Sequence, residues 1–209
     1  MSLIKLSEIT LQEILHEAVE KLKNGGIIAY PTETYYGLGA KFDIEESLKK
    51  IYVMKKRPIE KALPLIIGEK GLLSNLAIKI NSMANLLMDA YWPGPLTLIF
   101  PAKENLSEYI TAGTHKVAVR IPGESFALAL AEASGFPITA TSANLSGLPP
   151  AMDTDTILQY FGDEIDLIID GGPAPGGLPS TIIDVTGDNM IMLREGPIRK
   201  EFLTSISVR

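Results

Sequence analysis

Residues 10–31, TLQEILHEAVEKLKNGGIIAYP, carry the signals that decide the fold. Thr10 and Glu13 have the spacing of a capping box, and apolar residues then recur at the helical period until Gly25. The apolar run at residues 26–30 ends at Pro31 and predicts a strand buried on both faces. A helix followed directly by a buried strand is typical of an α/β protein.

The same alternation of helices and strands continues along the chain. A second helix is predicted to open at Asp43. Residues 117–121 alternate in a strand pattern that places Arg120 on the face opposite the valines. A turn at residues 186–189 predicts a hairpin and therefore some antiparallel pairing. We predict an open, twisted sheet of mixed parallel and antiparallel strands flanked by helices, in a single domain over 1–209 without an extra C-terminal domain.

Composition excludes several classes of protein. The 209 residues include 19 Lys and Arg against 25 Asp and Glu, a net charge of −6 that disfavours coating of nucleic acid. Without cysteine there are no disulfides, thiolate metal sites or cysteine nucleophiles, and His16 and His115 are too few for a histidine-rich metal site. Asp153 and Asp155 fit the first turn of a helix better than a metal pair. No apolar run is long enough for a membrane span, so a cytoplasmic protein is expected.

Four polar segments follow predicted elements and are candidates for binding. Each also has a structural interpretation: a turn, a helix C-terminus that favours cations, an Asx or Ser/Thr turn, or plain surface polarity. Neither a phosphate-binding P-loop nor a dinucleotide turn is present. The four segments are residues 31–38, residues 55–58 with Lys61, residues 141–147, and Ser180-Thr181 with Arg194.

Together these segments resemble the YrdC family of threonylcarbamoyl-AMP synthases over roughly residues 10–198. The basic triplet at 55–57 and the Ser-Ala-Asn run at 142–144 favour the synthase branch over a related branch that lacks both. The matching stretches are PTETYYGLG (31–39), KKRP (55–58), YWPGPLT (91–97), VAVRIP (117–122), TSANLSG (141–147), STIID (180–184) and LREG (193–196).

The resemblance implies a YrdC-like fold with a concave basic pocket and a nucleotidyltransferase activity. Threonine, bicarbonate and ATP would give threonylcarbamoyl-AMP and pyrophosphate, and a partner transferase would pass the threonylcarbamoyl group to tRNA. Mg²⁺ would be held through the ATP phosphates, without dedicated protein ligands. Such chemistry depends on positioning three substrates rather than on an enzyme nucleophile.

The resemblance also implies roles for individual residues around ATP. Lys116 and Pro150 stand where many relatives have small hydroxyl residues, so no ATP contact is carried over to either position. The residues expected at the phosphates, their Mg²⁺ or the nucleotide are Lys55, Arg57, Lys61, Ser142, Asn144 and Arg194. Those expected to be catalytic are Lys55, Arg57, Ser142 and Asn144.

A second set of residues is expected to hold threonine. Arg120 is the natural partner of its carboxylate, since guanidinium pairs with carboxylate bidentately. The full set is Thr34, Tyr36, Arg120, Ala140 through its backbone, and Ser180.

Two other functions remain open at this point. The basic triplet at 55–57 could serve an RNA-binding or ribosome-maturation module of the same fold, with weak RNA affinity. Another carbamoyl-handling paralogue would share the frame and use a different acceptor.

Overall fold

Helices and strands interleave in the computed structural model as the sequence predicts, and the structure describes residues 1–6 and 10–204. The strands are β1 (Ser2–Lys5), β2 (Ile28–Tyr30), β3 (Gly37–Gly39), β4 (Leu65–Ile66), β5 (Leu96–Pro101), β6 (Lys116–Arg120), β7 (Ile138–Thr139), β8 (Thr141–Ser142), β9 (Leu167–Asp170), β10 (Thr181–Asp184) and β11 (Ile191–Arg194). The α-helices are α1 (Leu11–Lys23), α2 (Glu45–Lys55), α3 (Ser82–Tyr91), α4 (Glu108–Thr111), α5 (Phe126–Ser134), α6 (Thr154–Phe161) and α7 (Lys200–Thr204).

Helix α1 begins with the predicted capping box. The backbone N–H of Glu13 donates to the Thr10 hydroxyl at 3.3 Å, and the Glu13 carboxylate accepts the Thr10 N–H at 3.0 Å. Asp153 caps α6 in the same way by accepting the Thr156 N–H at 2.8 Å. Both helices therefore start where side-chain acceptors satisfy unpaired backbone donors.

Helix α2 begins at Glu45, so the prediction that Asp43 opens it is wrong. Ile44 is the N-cap residue and makes no side-chain cap. The Asp43 carboxylate instead accepts a hydrogen bond from the Lys41 ammonium, which satisfies it outside the helix. At its other end α2 is followed by Lys56 in the left-handed conformation, at φ 50°.

The strands form two mixed sheets. One has the order β1-β9-β2-β3-β8 and the other β11-β10-β5-β6-β4-β7. β9 is parallel to both of its neighbours in the first sheet, and β10 is parallel to β5 in the second. β10 and β11 form the predicted antiparallel hairpin. The predicted mixed pairing is confirmed, and the structure divides it between two sheets.

Strands β2 and β9 are buried on both faces because each separates two cores. Ala29 and Ile168 belong to the larger core, which also contains residues of the second sheet and of α2 and α3. Ile28 and Leu167, one position along each strand, belong to a smaller core with α1 and α5. This arrangement explains why the run at 26–30 is continuously apolar rather than alternating.

Candidate functional site

A cleft of about 650 Å³ is lined by residues of both sheets. Its floor is the face of the second sheet formed by β5, β6 and β10 with Ser180 directly before β10, and its walls are the loops around residues 32–37, 140–142 and 177–179. Among the described residues, eight of the eleven predicted site residues line it. They are Thr34, Tyr36, Arg57, Arg120, Ala140, Ser142, Ser180 and Arg194.

Arg120 is the buried cation of the cleft floor. The strand pattern of β6 points it away from the core valines, as predicted. Its Nε donates to the carbonyl of Gly94 at 2.9 Å, and its Nη2 lies in ion-pair contact with Oε1 of Glu33. Burial lowers the pKa of Arg120 to about 10, which leaves the group positively charged at neutral pH.

The backbone around Gly94 is shaped to reach Arg120. The Trp92–Pro93 peptide bond is cis, and the turn brings Gly94 close to the end of α3. A Cβ at Gly94 would lie 2.5 Å from the carbonyl oxygen of Tyr91, so only glycine fits there. The YWPGP segment therefore supplies the carbonyl that orients the guanidinium.

The hydroxyl-rich loop before β3 is both a turn and a wall of the cleft. The Thr32 hydroxyl accepts the Thr34 N–H at 3.1 Å and donates to the Tyr35 carbonyl at 2.6 Å. The Tyr36 hydroxyl accepts the Gly171 N–H at 3.1 Å and donates to the Gly172 carbonyl at 2.7 Å. Tyr36 thus ties this loop to the loop after β9, and burial raises its pKa.

Arg57 faces the cleft just beyond the end of α2. Its Nε donates to the carbonyl of Lys61 at 2.8 Å and its Nη2 to the carbonyl of Ala62 at 2.7 Å. Its remaining nitrogen, Nη1, lies 3.5 Å from the Thr141 hydroxyl. Burial lowers the pKa of Arg57. The Lys61 side chain is exposed and is not part of the cleft lining.

Lys55 is only 2% exposed and points into the loop that follows β8. Its Nζ donates to the carbonyl of Ser142, to the carbonyl of Asn144 at 2.7 Å and to Oδ1 of Asn144 at 3.3 Å. The Lys55 carbonyl accepts the Ser146 N–H at 2.8 Å. Burial, with a smaller contribution from the charge of Arg57, lowers the pKa of Lys55 to about 7.

Ser142 and Asn144 are neighbours, but the structure gives them different surroundings. The Ser142 hydroxyl lines the cleft and donates to Oδ1 of Asn144 at 2.5 Å. The Asn144 amide donates to the carbonyls of Leu145 and Leu148 at 3.0 and 2.7 Å. The Asn144 side chain is thus engaged within the loop, as in the Asx turn that the sequence left open.

Several polar residues line the cleft without having been predicted as site residues, and Thr97 and Glu33 are two of them. Thr97 Oγ1 lies 2.8 Å from Oγ of Ser180 on the floor. Arg194 donates to the Ser180 hydroxyl from Nη2 at 3.2 Å and to the Ser180 carbonyl from Nε at 2.9 Å. Glu33 lies beside Arg120. Glu33 and Thr97 lie inside the matching stretches PTETYYGLG and YWPGPLT, and those stretches were the signal in the sequence that pointed to them.

Lys116 and Pro150, the two positions that depart from the relatives, differ in their relation to the cleft. Pro150 lines the cleft, whereas Lys116 donates to the Asp184 carboxylate at 2.7 Å and is outside the lining. Burial of Asp184 would raise its pKa, but hydrogen bonds from Lys116 and Thr186 outweigh burial and lower it. Lys116 is therefore occupied by an ion pair of the second sheet.

Within residues 1–6 and 10–204, no three or more His, Asp or Glu side chains are grouped so that they could hold a metal ion. No helix in these ranges is long and apolar enough to span a bilayer.

Comparison with known proteins assigns the chain to a family. The model of the Sua5, YciO and YrdC proteins, described as "Telomere recombination", matches residues 20–196. The chain belongs to this family. The resemblance found in the sequence is confirmed.

Two curated members of the Sua5/YciO/YrdC family show how much of each relative the chain covers. The threonylcarbamoyl-AMP synthase of Bacillus subtilis is 40% identical over 191 residues, which are 91% of this chain and 55% of that protein. The synthase of Vibrio parahaemolyticus is 35% identical over 182 residues, 86% of this chain and 97% of that protein. The chain thus spans about half the length of the first relative and nearly all of the second.

A solved family structure confirms the fold. The crystal structure of Pyrococcus abyssi Sua5 complexed with L-threonine matches with a TM-score of 0.89 and 36% identity. The match covers 98% of this chain and 60% of that one. The YrdC-like architecture predicted from the sequence is therefore present.

Proposed function

We propose that this chain is a threonylcarbamoyl-AMP synthase, which converts L-threonine, bicarbonate and ATP into threonylcarbamoyl-AMP and pyrophosphate. The observation that carries the proposal is one cleft holding Arg120, Arg57 and Ser180, in a chain 40% identical to a synthase of that name. The L-threonine complex of Sua5, at 36% identity, supports the amino acid as substrate.

Arg120 is proposed to hold the carboxylate of threonine. Two of its nitrogens, Nη1 and Nη2, are suited to bidentate pairing, because Nε is already fixed on Gly94. The incoming carboxylate would take the place of the Glu33 carboxylate. Thr34, Ser180 and the backbone at Ala140 lie around the same cleft and would complete the amino-acid site.

The reaction requires two bond-forming steps. The threonine nitrogen attacks the carbon of bicarbonate, a C–N bond forms, and the hydroxyl leaves as water with a proton from the amine. A carbamate oxygen then attacks the α-phosphorus of ATP, an O–P bond forms, and pyrophosphate leaves with the bridging oxygen. Neither step requires an enzyme nucleophile, so the chain contributes orientation and charge neutralisation.

Arg57 is proposed to neutralise the charge that develops on the phosphates. Its Nη1 faces the Thr141 hydroxyl at 3.5 Å, and its other nitrogens are fixed by carbonyls, so the group is oriented before ATP binds. Arg194 lines the cleft, and the Lys61 carbonyl accepts from Arg57; the side chains of Arg194 and Lys61 are proposed to add charge to the nucleotide site. Asn144, in the loop after β8, and Lys55, at the end of α2, would act on this site by holding that loop in place.

Mg²⁺ is proposed to arrive with ATP as part of the substrate. Its preferred ligands are phosphate oxygens, water and hard neutral or anionic oxygens. The Ser142 hydroxyl is the exposed oxygen at the cleft that fits this chemistry, and Asn144 Oδ1 lies 2.5 Å from it. The product would pass to a partner transferase that acts on tRNA, and the reaction is proposed to take place in the cytoplasm.

Pyrophosphate release tests the proposed function. The purified chain, supplied with ATP and Mg²⁺, is expected to release pyrophosphate only when threonine and bicarbonate are both present. Mass spectrometry should then detect threonylcarbamoyl-AMP. Pyrophosphate release that is unchanged when threonine is left out would contradict the assignment.

A further inference from the structure

Two hydroxyl groups meet on the floor of the cleft. Thr97 lies on β5 and Ser180 directly precedes β10, and their oxygens are 2.8 Å apart. Both residues line the cleft, although Thr97 is only 5% exposed. A buried hydroxyl whose contact is another hydroxyl retains hydrogen-bonding capacity for a ligand.

The hydrogen-bond donors and acceptors that Thr97 and Ser180 leave unused determine which ligand group the pair can bind. Two hydroxyls have two hydrogens and four lone pairs. One hydrogen and one lone pair are used between them, and Arg194 Nη2 donates to a second lone pair, on Ser180. One hydrogen and two lone pairs remain, which match a ligand group that both donates and accepts, such as an alcohol.

Apart from Arg120 and Arg194, the side chains of the floor around the pair are apolar. Ile182 is the register partner of Thr97 on the neighbouring strand, and Ile99 and Ala118 line the floor next to them. A polar group of the ligand placed over Ile99, Ala118 or Ile182 would lose its hydration without gaining a partner. The floor therefore suits a small branched side chain with one methyl and one hydroxyl.

The pair lies beside the proposed carboxylate site. The register that pairs Leu98 with Val119 places Thr97 opposite Arg120 on the same face of the sheet. Adjacent strands are about 4.8 Å apart, so Thr97 and Arg120 project into the cleft from backbones one strand spacing apart. This neighbouring placement lets one small amino acid present its carboxylate to Arg120 and its β-hydroxyl to the hydroxyl pair.

We infer that Thr97, acting with Ser180, is a specificity-determining residue that selects a β-hydroxy amino acid over its methyl isostere. The inference rests on the proposed function and deepens it. Valine would leave the hydroxyl pair without its partner in a water-poor site, and such sites discriminate strongly against analogues that lack the group they bind.

Calorimetric binding of L-threonine and L-valine to the full chain tests this inference. In Thr97→Val the hydroxyl is replaced by a methyl of similar size, so the preference for threonine over valine should fall about 3- to 10-fold, the equivalent of one neutral hydrogen bond. Thr97→Ser keeps the hydroxyl, and its preference should stay within about twofold of the natural chain. General damage to the cleft would weaken both amino acids alike and leave their ratio unchanged.

The outcomes separate this inference from the proposed function. If the natural chain binds L-threonine and Thr97→Val retains the full preference over L-valine, the inference is overturned and the proposed function stands. If Thr97→Ser loses as much preference as Thr97→Val, the hydroxyl is not what selects and the inference is again overturned. If the natural chain does not bind L-threonine, both fail. Should Thr97→Val not unfold cooperatively, Thr97→Ala removes the same hydroxyl and carries the same expected fall.

Discussion

The floor and the loop wall of the cleft hold their cations in different ways. Arg120 projects from β6, a five-residue strand paired on both sides, and its side chain faces the cleft. Lys55 ends α2 next to β8, a strand of two residues, and its ammonium is directed at the carbonyls of Ser142 and Asn144. On the floor the backbone positions the side chains, whereas on the wall a buried side chain positions the backbone.

This difference separates two kinds of functional residue. A side chain on a paired strand is available to a ligand, because the sheet already pairs the backbone N–H and C=O groups around it. A polar side chain beside an irregular loop donates its hydrogen bonds to loop carbonyls that no neighbouring strand satisfies. Substitution of Arg120 should therefore change mainly substrate binding, and substitution of Lys55 should change stability.

The largest effect is expected for Arg120→Met. Loss of a charge-assisted pair with the substrate carboxylate costs about 3–4 kcal/mol, so kcat/KM for threonine should fall about 100- to 1000-fold. Steady-state pyrophosphate release measures it. Arg199→Met, at an exposed position, is the control and should retain near-normal kcat/KM. An equal loss in both variants would remove the distinction between the floor and the surface.

The pH dependence of the unfolding free energy should show the lowered pKa of Lys55, which is buried behind the wall of the cleft. Its pKa in the folded chain is about 7 against 10.5 for the free side chain, so the unfolded chain binds more protons between these values and stability rises with pH. From pH 7 to pH 9, the unfolding free energy of the natural chain should rise by about 2 kcal/mol relative to Lys55→Met.

Urea unfolding of both chains at several pH values measures this change. Lys49→Met alters an exposed lysine of the same helix and should show no such pH-dependent difference from the natural chain. A difference between the natural chain and Lys55→Met that stays constant from pH 7 to pH 9 would show that burial does not perturb the ammonium.

The smallest effect is expected for Tyr36→Phe. The variant loses the hydroxyl that accepts from Gly171 and donates to Gly172, and should be destabilised by about 1 kcal/mol. Urea unfolding measures the loss, with Tyr91→Phe, outside the cleft lining, as the control. No change in the unfolding free energy would mean that water replaces the hydroxyl at no cost.

Local signals in the sequence predicted the parts of the fold that depend on neighbouring residues. The capping box at Thr10 and the alternation that turns Arg120 away from the core need only residues within a few positions. The Asp43 cap failed because Lys41 competes for the same carboxylate, and the cap pattern does not register such a competitor. The division into two sheets depends on long-range pairing, such as β2 with β9, which no local pattern contains.

In the candidate site, too, some residues could be identified from the sequence and others depend on contacts with distant parts of the chain. The family resemblance selected Arg120, Arg57 and Ser180, all of which line the cleft. Charge alone could not show that the ammonium of Lys55 turns inward, since that depends on carbonyls 87 and 89 positions away in the chain. Thr97 was missed because a threonine in a strand is ordinary, and its meaning comes from Ser180, 83 positions further on.

The Glu33 carboxylate contacts Arg120 at the position where the carboxylate of threonine is proposed to bind. A threonine carboxylate that binds there exchanges one ion pair for another instead of creating a new one. Dissolved salt weakens both pairs, so it should change the measured affinity much less than it would at a bare guanidinium.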